Sequence, residues 1–147
     1  MRRIALMVFR LFFKAFYYFS HIWWCSIHDN ISYEEGFRWC KKTTLAANRA
    51  GRVTIEAHGV ENLPEKDGFI MFPNHQGLFD GLVFLESCPK VFSFVMKKEA
   101  ANVILLKQVR KALGALVIDR EDLRQSMKVI QTMAEEVKKG RNFLFSP

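Results

Sequence analysis

The 147-residue sequence predicts an α/β fold, a sheet with helices packed on it, preceded by a pair of N-terminal helices. Three observations predict it. From residue 53 onward, short β-rich runs alternate with amphipathic stretches of helical period. Before residue 53, two apolar stretches of helical period follow each other with no strand between them. A hydrophobic share of 50% beside 25% charged residues marks a folded chain, long enough for one domain with a real core.

The first of these stretches, residues 4–27, is strongly apolar but interrupted. Arg3, Arg10, Lys14 and His21 fall within about 40° of one another on a helical wheel, so a narrow basic stripe runs along an otherwise greasy helix. A spanning helix wants about 20 apolar residues, and the run beyond Lys14 covers only residues 15–27. Arg10 and Lys14 would sit at high cost in lipid unless they snorkelled. They also break any signal-peptide core, and no small-x-small cleavage site follows. A helix lying in the interface with its basic stripe toward headgroups is favoured over a spanning one. Trp23 and Trp24 would rest at headgroup depth. The second helix opens at Ser32-Tyr33-Glu34-Glu35, a capping-box pattern. Tyr33, Phe37, Cys40 and Thr44 share one face, and Arg49-Ala50-Gly51 closes it. A turn at residues 28–31 makes the pair a hairpin.

Charge and aromatics support an interfacial role for this part. The net charge is +7, of which residues 1–52 hold +6 and residues 53–147 hold +1. Twelve of the twenty aromatics, including every Trp and Tyr, precede residue 40. Cations mixed with Trp and Tyr suit a membrane–water boundary. The same mixture can bind single-stranded nucleic acid, but the long apolar helix favours lipid. Cys25, Cys40 and Cys88 are odd in number, widely spaced and without a C-x-x-C pair, which argues against a disulfide framework or a zinc site and fits a reducing compartment.

Beyond residue 52, Val53, Ile55 and Ala57 alternate with Thr54, Glu56 and His58, which predicts a half-buried strand with His58 on its solvent side. Turns follow at Asn62-Leu63-Pro64 and Lys66-Asp67-Gly68. Residues 69–72 read as a buried strand ended by Pro73. A helix over 82–85 and a strand over 91–95 come next. Residues 104–113 read as a helix with Leu105, Leu106, Val109, Ala112 and Leu113 inward, and with Lys107, Arg110 and Lys111 as ordinary helix surface. Residues 115–118 form a further strand. Asp122-x-x-Gln125 opens a helix with Leu123, Met127, Ile130, Ala134 and Val137 on its apolar side. Lys138-Lys139-Gly140 closes it, and residues 142–145 begin another strand.

The chemistry is concentrated in Pro73-Asn74-His75-Gln76-Gly77-Leu78-Phe79-Asp80. Positions five apart point about 140° from each other on one regular helix. His75 and Asp80 can therefore meet only across a loop-to-helix junction, a turn Gly77 permits. Asp80 would then fix the tautomer of His75 and leave its other nitrogen to take a proton. No serine or cysteine nucleophile stands nearby, so transfer directly to a bound hydroxyl is expected rather than an acyl-enzyme. Taken alone, an H-x-x-x-x-D pattern is most often a capped core histidine.

Here it has company. Glu61-Asn62-Leu63-Pro64, Asn74-His75-Gln76 through Asp80, Lys97-Lys98-Glu99, and Gly114-Ala115-Leu116-Val117-Ile118-Asp119-Arg120 occur in order. In that order and spacing the chain resembles the bacterial PlsC-type 1-acyl-sn-glycerol-3-phosphate acyltransferases, closely over residues 53–147 and in general character over the helix pair. The resemblance implies a glycerolipid acyltransferase-like sheet, with His75 as general base and Asp80 as its partner. It implies that Arg120 holds the acceptor's phosphate, for which a guanidinium is matched bidentately. Asn74 joins the substrate-binding set; Lys97 and Lys98 are equally well read as substrate contacts or as a solvated strand end. Relatives often carry Ser at Gly77 and a proline-containing turn over residues 100–104. They also follow the last strand with a Pro-Glu-Gly-Thr-Arg block, so the resemblance implies a C-terminally truncated chain.

The reading divides the chain into a membrane-interfacial hairpin, 1–52, and the N-terminal portion of a catalytic domain, 53–147. The expected reaction moves a fatty acyl group from acyl-CoA or acyl-carrier protein to the sn-2 hydroxyl of 1-acylglycerol-3-phosphate, giving phosphatidate. It would run on the cytoplasmic face of a membrane bilayer, with no metal, no cofactor and no nucleic-acid partner. Two alternatives stand beside it: a sibling enzyme acting on glycerol-3-phosphate or a lyso-aminolipid, and an inactive membrane-binding fragment.

Overall fold

The computed structural model describes residues 2–74, 77–101 and 105–145. Two helices come first, α1 (Arg2–Ile27) and α2 (Tyr33–Ala50), joined by a tight turn. Ser32 caps α2, its hydroxyl accepting from the Glu35 N–H at 3.4 Å. Glu35 spends its carboxylate on Arg38 one turn later, 3.3 Å away. At the other end Gly51 donates to the Ala47 carbonyl with φ −80°, and the left-handed residue is Arg52, φ 52°.

The body alternates as expected: β1 (Ile70–Met71), α3 (Leu78–Ser87), β2 (Ser93–Lys97), α4 (Lys98–Ala101), α5 (Leu106–Ala112), β3 (Leu116–Ile118), α6 (Leu123–Lys138) and β4 (Phe143–Phe145). All strand pairs are parallel and the sheet order is β1-β4-β2-β3. The last strand therefore fills the gap between β1 and β2, with Phe143 opposite both Ile70 and Ser93. Asn142 anchors that insertion. Its Oδ1 accepts from the Gly68 and Phe69 amides (2.8 and 3.3 Å), while its Nδ2 donates to Asp67 Oδ1 and the Val91 carbonyl (3.1 and 2.9 Å). All four hydrogen-bonding positions of one buried amide are used, and they tie together the starts of three strands.

One face of the sheet is covered by the N-terminal pair with α3 and α5. Ile22 and Cys25 from α1, and Phe37 and Cys40 from α2, join Leu85, Cys88, Phe92, Leu113 and Leu144 in one core cluster. Parallel sheets need cover on both faces; α6 supplies the other through Met133, which packs with Val95, Ile118 and Phe143 and is flanked by Val129 and Val137. Gly36 lets α2 lie directly on the end of α5, since a Cβ there would overlap the Ala112 carbonyl group.

Four expectations need correction. Residues 53–58 form no strand: they have no ladder partner among the described residues, because alternation is a local signal and pairing is not. Leu105 points outward, 54% exposed, since it stands before α5 with φ 76°. On α6 the predicted apolar side is largely turned away from the sheet. Leu123, Met127 and Ile130 are 78%, 50% and 43% exposed, and the helix buries Met133 instead. The last concerns Gly77, whose backbone is extended (φ −162°, ψ 165°), a conformation open to any residue.

Candidate active site

The loop after β1 leads into α3, and Gly77 is the N-cap of that helix. Asp80 therefore sits in the first turn, where its Oδ2 accepts from the Gly77 N–H at 3.0 Å. That bond satisfies an otherwise orphaned amide and aims the carboxylate back toward the preceding loop. A helix start thus falls between positions 75 and 80; His75 and Gln76 lie outside the described residues. Asn74 is described and exposed.

Beside this junction opens a cleft of about 450 Å³, within the range of small-ligand sites. Its walls come from elements far apart in sequence. Cys40, Thr43 and Thr44 of α2 face Gly81, Leu82 and Leu85 of α3, with Phe94 and Met96 of β2 and Leu106 and Val109 of α5 between them. The lining is mainly apolar. Lys97 and Arg120 bring positive charge to it, and Thr43 and Thr44 bring hydroxyls. The two lysines weighed equally in the sequence now part company. Lys97 lines the cleft with Glu99 at 3.7 Å, whereas Lys98 is committed to Asp119, Nζ to Oδ2 at 2.7 Å. The hydrogen bond with Lys98 holds the Asp119 carboxyl below its ordinary range, and reciprocally Asp119 raises Lys98. Sequence reasoning missed the cleft walls, because no local pattern marks residues brought together by packing.

Cys40 is the cysteine on the cleft wall, and burial pushes its thiol up to about 12. A thiol so held is protonated at neutral pH and is no nucleophile. Among the described residues no group of three or more His, Cys, Asp or Glu is placed to hold a metal ion.

The N-terminal hairpin turns its aromatic face outward. Phe9, Phe12 and Phe16 are 81%, 69% and 83% exposed, and Trp23 and Trp24 are about half exposed. Two residues of the basic stripe meet α2: Arg10 donates to the Ala50 carbonyl at 3.1 Å, and His21 stacks on Trp39 with centroids 3.8 Å apart. Lys14 is exposed; the side chain of Arg3 lies outside the described set. Among the described residues no helix is long and apolar enough to cross a membrane.

The site thus comprises a parallel sheet with helices on both faces and an apolar cleft lined in part by Gly77, the N-cap of the helix that carries Asp80. The profile of the Acyltransferase family matches residues 54–147, and the chain belongs to that family. Over 94 residues it is 29% identical to the 1-acyl-sn-glycerol-3-phosphate acyltransferase LPAT1, chloroplastic, of Arabidopsis thaliana; the match covers 63% of this chain and 26% of that one. The crystal structure of the 1-acyl-sn-glycerophosphate (LPA) acyltransferase PlsC from Thermotoga maritima shares the fold, with a TM-score of 0.70 and 20% identity. That likeness takes in all of this chain and 62% of the bacterial one. The chain thus spans only part of the length of either protein.

Proposed function

We propose that this chain binds and activates the substrates of an acyl transfer from acyl-CoA or acyl-carrier protein to the sn-2 hydroxyl of 1-acylglycerol-3-phosphate, giving phosphatidate. The observation that carries the reading is the cleft: a mainly apolar cavity whose lining brings the N-cap of the Asp80 helix together with Lys97 and Arg120. An apolar cavity of this size suits an acyl chain, and a cation on its wall suits an anionic head.

In this reading His75, two residues before that N-cap, is the general base. It takes the acceptor's hydroxyl proton as the oxygen bonds to the thioester carbonyl carbon. Collapse breaks the C–S bond, and the departing thiolate receives the same proton back from the imidazolium. Asp80, already oriented by Gly77, holds the tautomer, and Arg120 takes the phosphate with a bidentate grip. The protonated state of Cys40 fits a mechanism without an acyl-enzyme. The outward aromatic face of α1 would enter the headgroup region of a bilayer on its cytoplasmic side, with Arg10 and Lys14 alongside anionic lipid.

The test is to assay the intact enzyme with lysophosphatidate, glycerol-3-phosphate and a lyso-aminolipid as acceptors. His75→Ala should lower turnover by about 10²–10⁴-fold with donor binding retained. Arg120→Ala should raise KM for lysophosphatidate far more than KM for the donor. Near-normal turnover in the first variant removes the base; equal losses on both substrates in the second remove the phosphate contact.

A further inference from the structure

The turn between β3 and α6 carries Arg120, and its neighbour Asp119 is unusually well held. The Asp122-x-x-Gln125 start of α6 has the form of a capping box, in which the third residue's side chain returns to the cap's own amide. Asp122 does its half, its Oδ1 accepting from the Gln125 N–H at 2.9 Å. Gln125 does not. The Asp122 amide goes to the Asp119 carbonyl, and the Gln125 carboxamide reaches past it to the strand end. There Oε1 accepts from the Asp119 N–H at 2.9 Å and Nε2 donates to the Val117 carbonyl at 2.7 Å.

Those two groups belong to Val117 on β3 and to Asp119 just past its end, and among the described residues β3 is an edge strand paired with β2 alone. A neighbouring parallel strand would present one residue's N–H and C=O to that pair of groups, and the glutamine carboxamide takes their place. Order is thereby carried beyond Ile118, the last residue of the ladder, into the turn. The rest of Asp119 is engaged too. Its carbonyl accepts from Ser126 Oγ at 2.7 Å, Oδ1 accepts from the Glu121 N–H at 3.2 Å, and Oδ2 meets Lys98. Arg120 is thus flanked on both sides by anchored backbone, and it lines the cleft.

We propose that Gln125 is a positioning residue for acceptor recognition: its side-chain amide, acting as a surrogate strand, fixes the turn that presents Arg120 to the acceptor's phosphate. The proposal rests on the phosphate reading of Arg120 given above. Helix capping alone would not require Gln125 to reach Val117 and Asp119, because Asp122 already caps α6.

The test compares Gln125→Met, which keeps the length and removes both bonds, with Gln125→Glu, which keeps the acceptor for Asp119 and loses the donor. In the intact enzyme Gln125→Met should raise KM for lysophosphatidate about tenfold, while donor KM and kcat at saturation stay within about twofold. Gln125→Glu should fall between it and wild type. Placed on Arg120→Ala, Gln125→Met should add no further rise in acceptor KM, because the positioned group is gone. Amide exchange at Asp119 and Glu121 should quicken in Gln125→Met while the middle of α6 is unchanged. Additive effects on KM, or unchanged exchange at Asp119, overturn the proposal. If Arg120→Ala itself spares acceptor KM, the phosphate reading fails on its own. Faster exchange with an unaltered acceptor KM in Gln125→Met then overturns the positioning role separately.

Discussion

Gly36→Ala and Gly81→Ala make the same chemical change in two helices and should move stability in opposite directions. Replacing a mid-helix glycine by alanine ordinarily stabilises by about 0.5–1 kcal/mol, because the unfolded chain loses freedom. At Gly81 nothing opposes that gain: the new Cβ would meet only the Phe94 ring edge, 3.9 Å away. At Gly36 the new Cβ would lie 2.6 Å from the Ala112 carbonyl carbon and 3.2 Å from its Cα. These are backbone atoms and cannot rotate aside, so α2 and α5 must part by on the order of 1 Å to regain ordinary contact. Overpacking costs about 1–3 kcal/mol. The upper end applies here, and after the propensity gain a net loss of about 2 kcal/mol remains. For a domain near this size that lowers Tm by about 4–8 °C. The measurement is paired thermal melts of the two variants and wild type in one detergent. A Gly36→Ala protein melting at or above wild type would refute the close approach of α2 to α5, and with it the cleft wall those helices build.

Other expectations follow from the same coordinates. Gly77→Ser should raise stability by a few tenths of a kcal/mol, since the N-cap gains a hydroxyl acceptor and a Cβ there meets nothing within 4 Å; a destabilised variant would refute the cap. Changing Phe12, Phe16 and Trp23 to Ser should weaken vesicle binding at all salt concentrations, whereas Arg10→Glu with Lys14→Glu should weaken it most on anionic vesicles at low salt. Identical salt profiles for the two sets would show that the aromatic face and the basic border do not act separately. Glu136 is held below its ordinary carboxyl range by Lys139 first and Arg141 second. Its stabilisation is therefore present above the unfolded value and disappears as pH falls through the lower folded one. The stability gap between wild type and Glu136→Gln, measured by urea unfolding, should shrink as pH drops below 4.5; a gap that widens would contradict the ion pairs.

The strands and helices of the body were legible in sequence because each is a local pattern with punctuation. Residues 69–72, 115–118 and 142–145 each contain a strand near its expected place, and Ser32 and Asp122 cap the helices they were expected to cap. What could not be read was partnership. Residues 53–57 alternate as a strand should, yet nothing in the alternation says whether a neighbour waits. The helix α6 carries two apolar stripes roughly 100° apart, and periodicity favoured Leu123, Met127 and Ile130, while the sheet took the stripe of Val129 and Met133. The motif located the residues around Asp80 and Arg120, but only the structure separated Lys97 from Lys98. Gln125 looked like half of a cap, and its reach to the strand end depends on β3 being an edge, which is a fact about topology.

The placement of β4 between β1 and β2 has a consequence for how the chain is made. As the polypeptide emerges, β2 and β3 can find each other early, separated by about twenty residues, but among the described residues the one partner of β1 is β4, which waits for residues 143–145. Until then the groove between β1 and β2 is open, and the core faces of α1 and α2, synthesised first, have only part of the surface they will cover. Non-local parallel pairing of this kind is slow and leaves apolar surface bare in the meantime. Both helices of the pair are therefore complete before the sheet can take in its central strand.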